Sequence, residues 1–173
     1  MMWPMKAGLK KNVGRVKCCV WIAFIIPLGC EEDLGMASGA ILDDQITASS
    51  TYNSGLSASK SRLHSNKAWA AHSKDEHQWL QIDLGVEYTT NVTKVATQGS
   101  SVHNEWVTKY KLQYSHNGTN FQFYRDSGQN TDKVETVINV HFFYMEVPGF
   151  FNNKPKSCKI TDKLAESWSY FKE

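Results

Sequence analysis

Apolar and polar residues alternate one by one along several stretches of this chain, the rhythm of strands rather than helices. In the run from Trp79 to Leu84, Leu80, Ile82 and Leu84 alternate with Trp79, Gln81 and Asp83, and Gly85 closes it. Successive strand side chains point to opposite faces, so this segment predicts a half-buried strand. A second alternation sets Tyr110, Leu112 and Tyr114 on one face and Lys109, Lys111 and Gln113 on the other. Asn117-Gly118 then supplies residues that tolerate positive φ, and Phe121 and Phe123 resume the apolar beat, which predicts a hairpin. The β-branched run from Val92 to Thr97 predicts another strand, and the run from Val134 to Tyr144, with Val137 and Val140, one more. Polar loops separate these elements: a serine-rich one over 49–65, then 70–77 and 99–105. The texture from Ile41 onward is therefore all-β. Past the turn signals Pro148-Gly149 and Asn152 to Pro155 the rhythm changes. Ile160, Leu164, Trp168 and Phe171 recur at near-helical spacing, which predicts a short amphipathic helix.

The chain has 173 residues, enough for one domain with a real core. Its formal charge of +2 hides an asymmetry. Lys6, Lys10, Lys11, Arg15 and Lys17 precede Cys30 and no acid does; without them 14 basic residues face 17 acidic ones. Such a body offers no general attraction to nucleic acid, and no basic stripe interleaved with aromatics is present. The basic start leads into an apolar stretch, Cys18 to Leu28, shorter than the roughly 20 residues that span a bilayer. Residues 1–29 thus read as a secretory signal cut near Gly29, although Pro27 fits the small-residue rule poorly. Cleavage would leave Cys30 and Cys158, material for at most one bridge. Asn91-Val92-Thr93 and Asn117-Gly118-Thr119 are glycosylation sequons compatible with an extracellular location.

Enzyme signatures are absent from the sequence: no Gly-x-Ser-x-Gly elbow, no phosphate-cradling glycine loop, no His-Glu-x-x-His helix. His72 and His77 lack the spacing of a helical metal pair and read as solvated. The reading is a non-enzymatic protein without a cofactor.

Several blocks, taken in order, carry a resemblance. They are Leu34-Gly35-Met36, Gln45 to Ser50, Arg62-Leu63, Ala68-Trp69, Gln78 to Gly85, Thr97-Gln98-Gly99, Tyr110 to Ser115, Asn117-Gly118 and Phe121. At this spacing the stretch from Cys30 to Arg125 resembles the discoidin family, also called coagulation factor V/VIII C-type domains. The resemblance implies a jelly-roll β-sandwich over 30–147, acting in adhesion through loops at one end. By position, Tyr52, Asn53 and Leu56 fall on the first of these loops, and Val102, His103 and Asn104 on another. Tyr52 and Leu56 equally suit a loop that folds back and plugs itself. Lys60 and Arg62 are further polar candidates, Arg62 being as well suited to a structural pairing.

The implied partners are cell-surface or matrix glycans, or a protein receptor. Phospholipid is disfavoured, because burying one Tyr and one Leu gains only about 1.5–3 kcal/mol each and no basic patch assists. Some relatives hold calcium, but Asp43-Asp44 lacks the alternating oxygen pattern of a calcium loop and reads as a turn. Trp69, Trp79 and Trp106 lie on or beside the landmarks and are expected in packing. The family's closing strands are missing: neither an aromatic-Ile-Arg-Ile run nor a Leu-Arg-x-Glu run follows Phe142. A C-terminally incomplete sandwich is therefore expected, with residues 148–173 a divergent, poorly packed tail. The family's terminal cysteine bridges the opening one, and here Cys158 would have to serve Cys30.

Overall fold

The alternating segments form the strands their rhythm predicts, and two further strands come from the ends of the chain. The computed structural model describes residues 4–12, 31–85, 91–100, 105–136, 143–146 and 157–162. Within them lie β1 (Pro4–Asn12), β2 (Glu31–Asp33), β3 (Ile46–Ala48), β4 (Trp69–Ala70), β5 (Trp79–Asp83) and β6 (Asn91–Gln98). β7 (Lys109–Ser115), β8 (Gln122–Phe123), β9 (Val134–Thr136), β10 (Phe143–Glu146) and β11 (Ser157–Asp162) follow. Three single 3-10 turns, Asp43–Gln45, Ser54–Leu56 and Ala58–Lys60, punctuate the long loops. Among the described residues no helix is long and apolar enough to cross a membrane.

The strands make an all-β sandwich of two antiparallel sheets. One has the order β10-β6-β1-β2, with β4 pairing the start of β1. The other has the order β3-β5-β11-β7, with β8 and β9 both along the far side of β7. The predicted alternation decides what lies between them. Leu80, Ile82, Tyr110 and Leu112 are each 2% exposed or less, while Gln81, Lys109 and Lys111 are half-exposed on the opposite face. Val92 and Val95 from the first sheet and Leu34, Met36, Ile41 and Ile46 complete the core. Val95, Ala96 and Thr97 are buried in succession, so both faces of β6 are covered there. Gly35 turns the chain at φ 105°, where a Cβ would fall 2.4 Å from the Ala40 Cβ; only glycine fits. Trp69 is buried and Trp106 packs against the core, as expected, whereas Trp79 is half-buried on the outer side of β5.

Three expectations are corrected. The hairpin at Asn117-Gly118 forms, with Gly118 at φ 79°, but Tyr124 and not Phe123 returns to the core. Tyr124 is held by its backbone N–H to Leu112 O at 2.9 Å, and Phe123 is left 38% exposed. The run from Val134 to Tyr144 is not one strand: β9 joins the β7 sheet and β10 the β6 sheet. Ser157–Asp162, where a helix was expected to begin, is β11, paired on one side with β5 and on the other with β7. Its Cys158 and Ile160 stand opposite Ile82 and Leu80, and opposite Tyr114 and Leu112, so a central slot between two apolar rows overrides the helical spacing. That stretch of the tail is therefore packed; 163–173, the rest of the expected helix, lies outside the described residues. Pro4–Asn12, at the start of the segment expected as a leader, forms an inner strand between β6 and β2. Met5, Ala7 and Leu9 alternate there with Lys6, Gly8 and Lys10, a two-residue rhythm that its charge obscured. The expected cut near Gly29 and the cysteine at Cys30 lie outside the described residues.

Candidate binding surface at the Tyr52 loop

Two polar loops, 49–57 and 71–78, are tied together by one buried amide. Gln78 is 8% exposed, and its Oε1 accepts the hydroxyls of Ser49 (2.7 Å) and Ser50 (2.5 Å). Its Nε2 donates to Asp75 Oδ1 at 2.8 Å. Each serine oxygen is used twice, since Ser49 Oγ accepts Trp79 N and Ser50 Oγ accepts His72 N, both at 3.0 Å. Trp69 Nε1 donates to Ser50 O and Tyr52 N to Ala70 O, each at 2.9 Å. A buried polar group is tolerated only when satisfied, and here satisfaction requires both loops in place. Asp75 also accepts His77 N at 2.9 Å. The hydrogen bonds from Gln78 and His77 hold its carboxyl below the usual carboxylate range.

On this base stands Tyr52, 49% exposed, with its ring centroid 6.4 Å from that of the exposed His72 at 34°. Leu56 is half-buried. The two alternatives for this loop are thus divided between its residues: Tyr52 projects and Leu56 tucks in. Asn53 Oδ1 accepts Gly55 N at 3.0 Å and caps the Ser54–Leu56 turn, which commits its oxygen locally. An aromatic face with a polar tip, an imidazole beside it and an amide at the rim suit stacking against a ring that also carries hydroxyls.

Other nominated residues go elsewhere. Arg62 is anchored: its guanidinium donates to Met36 O (3.2 Å), Ile41 O (2.8 Å) and the Asp43 carboxylate. Its hydrogen bond holds the Asp43 carboxyl below the ordinary range. A cation at Asp43-Asp44 would have to displace that pairing, and among the described residues no three His, Cys, Asp or Glu side chains converge to hold a metal. Lys60 is half-buried beside this pair. Val102, His103 and Asn104 lie outside the described residues, while the base of their loop is a two-bond bridge between Ser100 and Glu105. Asn91 opens β6 opposite Asn12 at the end of the ladder. Asn117 is exposed in its turn, where its Oδ1 accepts Ser115 Oγ (2.9 Å), Thr119 N (3.0 Å) and Asn120 N (2.9 Å). Cys158 lies on β11, paired opposite Ile82 and Tyr114.

Sequence reasoning passed over His72, dismissed with His77 as a failed metal pair, and over Gln78 as the amide joining the loops. Nothing in the spacing of residues 52 and 72 signals that their rings meet. It also missed an ion-pair cluster at the opposite margin of β7. Asp132 pairs with Lys111 (2.7 Å) and Arg125 (3.1 Å), while Lys133 pairs with Asp126 and Glu135 (3.2 Å each). The hydrogen bond from Lys111 holds Asp132 low. Burial alone would lower Lys133, but its bonds to Asp126 and Glu135 raise it. This cluster closes the loop between β8 and β9.

The sequence profile described as F5/8 type C domain matches residues 45–144. Lactadherin of Sus scrofa is 40% identical over 157 residues, covering 74% of this chain and 38% of that protein. The human EGF-like repeat and discoidin I-like domain-containing protein 3 is 44% identical over 117 residues, covering 61% of this chain and 24% of that protein. Neuropilin-1 of Homo sapiens is 33% identical over 157 residues, 77% of this chain and 17% of its own length. The chain thus spans less than half of these curated relatives. Among solved structures, wild-type discoidin II from Dictyostelium discoideum superposes with a TM-score of 0.50 at 20% identity, covering 68% of this chain and 48% of that one. That likeness speaks to the fold.

Proposed function

Because the chain belongs to the F5/8 type C domain family, we propose that it is an extracellular, non-enzymatic adhesion module that recognises carbohydrate through the Tyr52 loop and needs no cofactor. The carrying observation is Tyr52, exposed beside His72 on a base that the Gln78 hydrogen bonds make rigid. A rigid aromatic loses little entropy on binding and offers a sugar ring an apolar face. Asn53 and His72 supply the hydrogen-bonding rim.

A glycan array read with the intact chain and with Tyr52→Ala tests this. The variant is expected to bind about tenfold more weakly, equivalent to ~1.4 kcal/mol, and to melt at the parent temperature. The paired change Tyr52→Ala with Val102→Ala should lose more. Undiminished binding by folded variants would remove the site. Binding that ignores free sugar would favour a protein receptor, and co-sedimentation with phosphatidylserine vesicles a lipid surface.

A further inference from the structure

β1 is foreign to the part of the chain that defines the family. Pro4–Asn12 lies outside the matched residues 45–144 and is separated from β2 by residues 13–30, yet it fills an inner position of its sheet. Lys6 to Asn12 pair with Gln98 to Asn91 of β6, with one register shift between Lys10 and Lys11. On the other side Lys10, Lys11 and Asn12 stand opposite Asp33, Glu32 and Glu31 of β2, and Pro4 and Met5 opposite Ala70 and Trp69 of β4. The register thus sets the acidic residues of β2 opposite the lysines of β1, while Lys94 of β6 stands opposite Lys10 on the other side. Without β1, the inner edge of β6 would present a row of unpaired backbone groups beside the buried Val95 and Ala96.

We propose that the channel between β6 and the β2 and β4 strands is a strand-accepting site for an extended, lysine-bearing segment. Pro4–Asn12 occupies it in this chain, and the site keeps hold of that segment when the covalent connection is cut. Binding is by strand addition: main-chain hydrogen bonds hold the peptide and the acidic β2 sets its direction and register.

The test uses the full chain with a protease site introduced within residues 13–29. The uncut protein should melt as the parent does. After cutting, the amino-terminal piece should co-elute with the body on gel filtration. A labelled synthetic peptide of residues 4–12 should then exchange into it. The same peptide with Gly8→Pro, which breaks the ladder opposite Ala96, should bind at least about tenfold more weakly. With Lys11→Glu, opposite Glu32, it should bind roughly threefold more weakly. Release of the piece on cutting, or equal binding of the Gly8→Pro peptide, would overturn the proposal. If the inserted site itself prevents folding, Gly8→Pro in the otherwise unaltered chain decides. A lowered melting temperature supports the strand site and an unchanged one overturns it.

Discussion

At the scale of single residues, the molecule turns on polar groups that are buried and satisfied. Gln78→Ala strips two serine hydroxyls of their acceptor and Asp75 of a donor, so about 2 kcal/mol and a fall of about 4–8 °C in Tm are expected. Calorimetry checks the fall, and loss of protease resistance in 71–78 locates it. Tyr110 and Tyr124 carry a second expectation. Burial pushes Tyr110 far above the usual phenol range, since its hydroxyl lacks a well-formed hydrogen bond and the nearby Thr97 offsets only part of the cost. Burial, then the hydrogen bond and charge of Asp126, raise Tyr124 to about 12. A folded pKa above the unfolded value means stability that is whole below about pH 10 and drains as pH climbs toward 12. Absorbance titration near 295 nm should show Tyr110 and Tyr124 ionising only well above the pH at which a free phenol does, with unfolding close behind. Ionisation of Tyr110 and Tyr124 near pH 10 would contradict the packing. Trp69 was legible because it sits on a block with a structural role; for Arg62 the sequence left ligand contact and structural pairing open, and the pairing is what forms. His72 was not legible, since its meaning comes from a ring twenty positions away.

Among elements, legibility follows the strength of the local rhythm. β5 and β7 were plain because apolar residues alternate in each, and Leu80 and Ile82 in the one and Tyr110 and Leu112 in the other are buried. β8 was misjudged by one position: the turn at Gly118 sets the register, and the register puts Tyr124 inside. β1 and β11 were obscured for opposite reasons. In β1 the lysines drew attention from the alternation. In β11 the apolar alternation is too short to announce a strand, while Leu164 and Trp168 suggested a helix. Its state is imposed by the two strands that flank it. Lys159→Pro tests this, because Lys159 stands between Gln81 and Gln113 and an inner strand does not tolerate proline. A loss of ~2 kcal/mol or more, about 4 °C or more in Tm, is expected. A solvent-side helix or loose tail at this position would leave the melting curve unmoved.

For the whole molecule, the family blocks account for most of both sheets but not for an inner strand of either. Residues 45–144 hold β3 to β9 and the start of β10. β1 and β11 come from outside that range and each lies between two other strands. The missing closing runs predicted an incomplete sandwich, and the edges at β6 and between β5 and β7 are the ones these two segments cover. The amino-terminal strand also reaches the base of the proposed site, because it pairs with Ala70, whose carbonyl accepts Tyr52 N. A chain beginning at Cys30, as signal cleavage would leave it, exchanges that support for an exposed edge on β6. It is expected to melt below the full chain, to aggregate at concentrations where the full chain does not, and to lose amide protection in both β6 and the Tyr52 loop. Hydrogen exchange on the two forms, with the mature amino terminus of the cell-expressed protein read by intact mass, checks this directly. Equal protection of β6 in both forms would show that the sandwich closes without Pro4–Asn12, and would return that segment to the role of a leader.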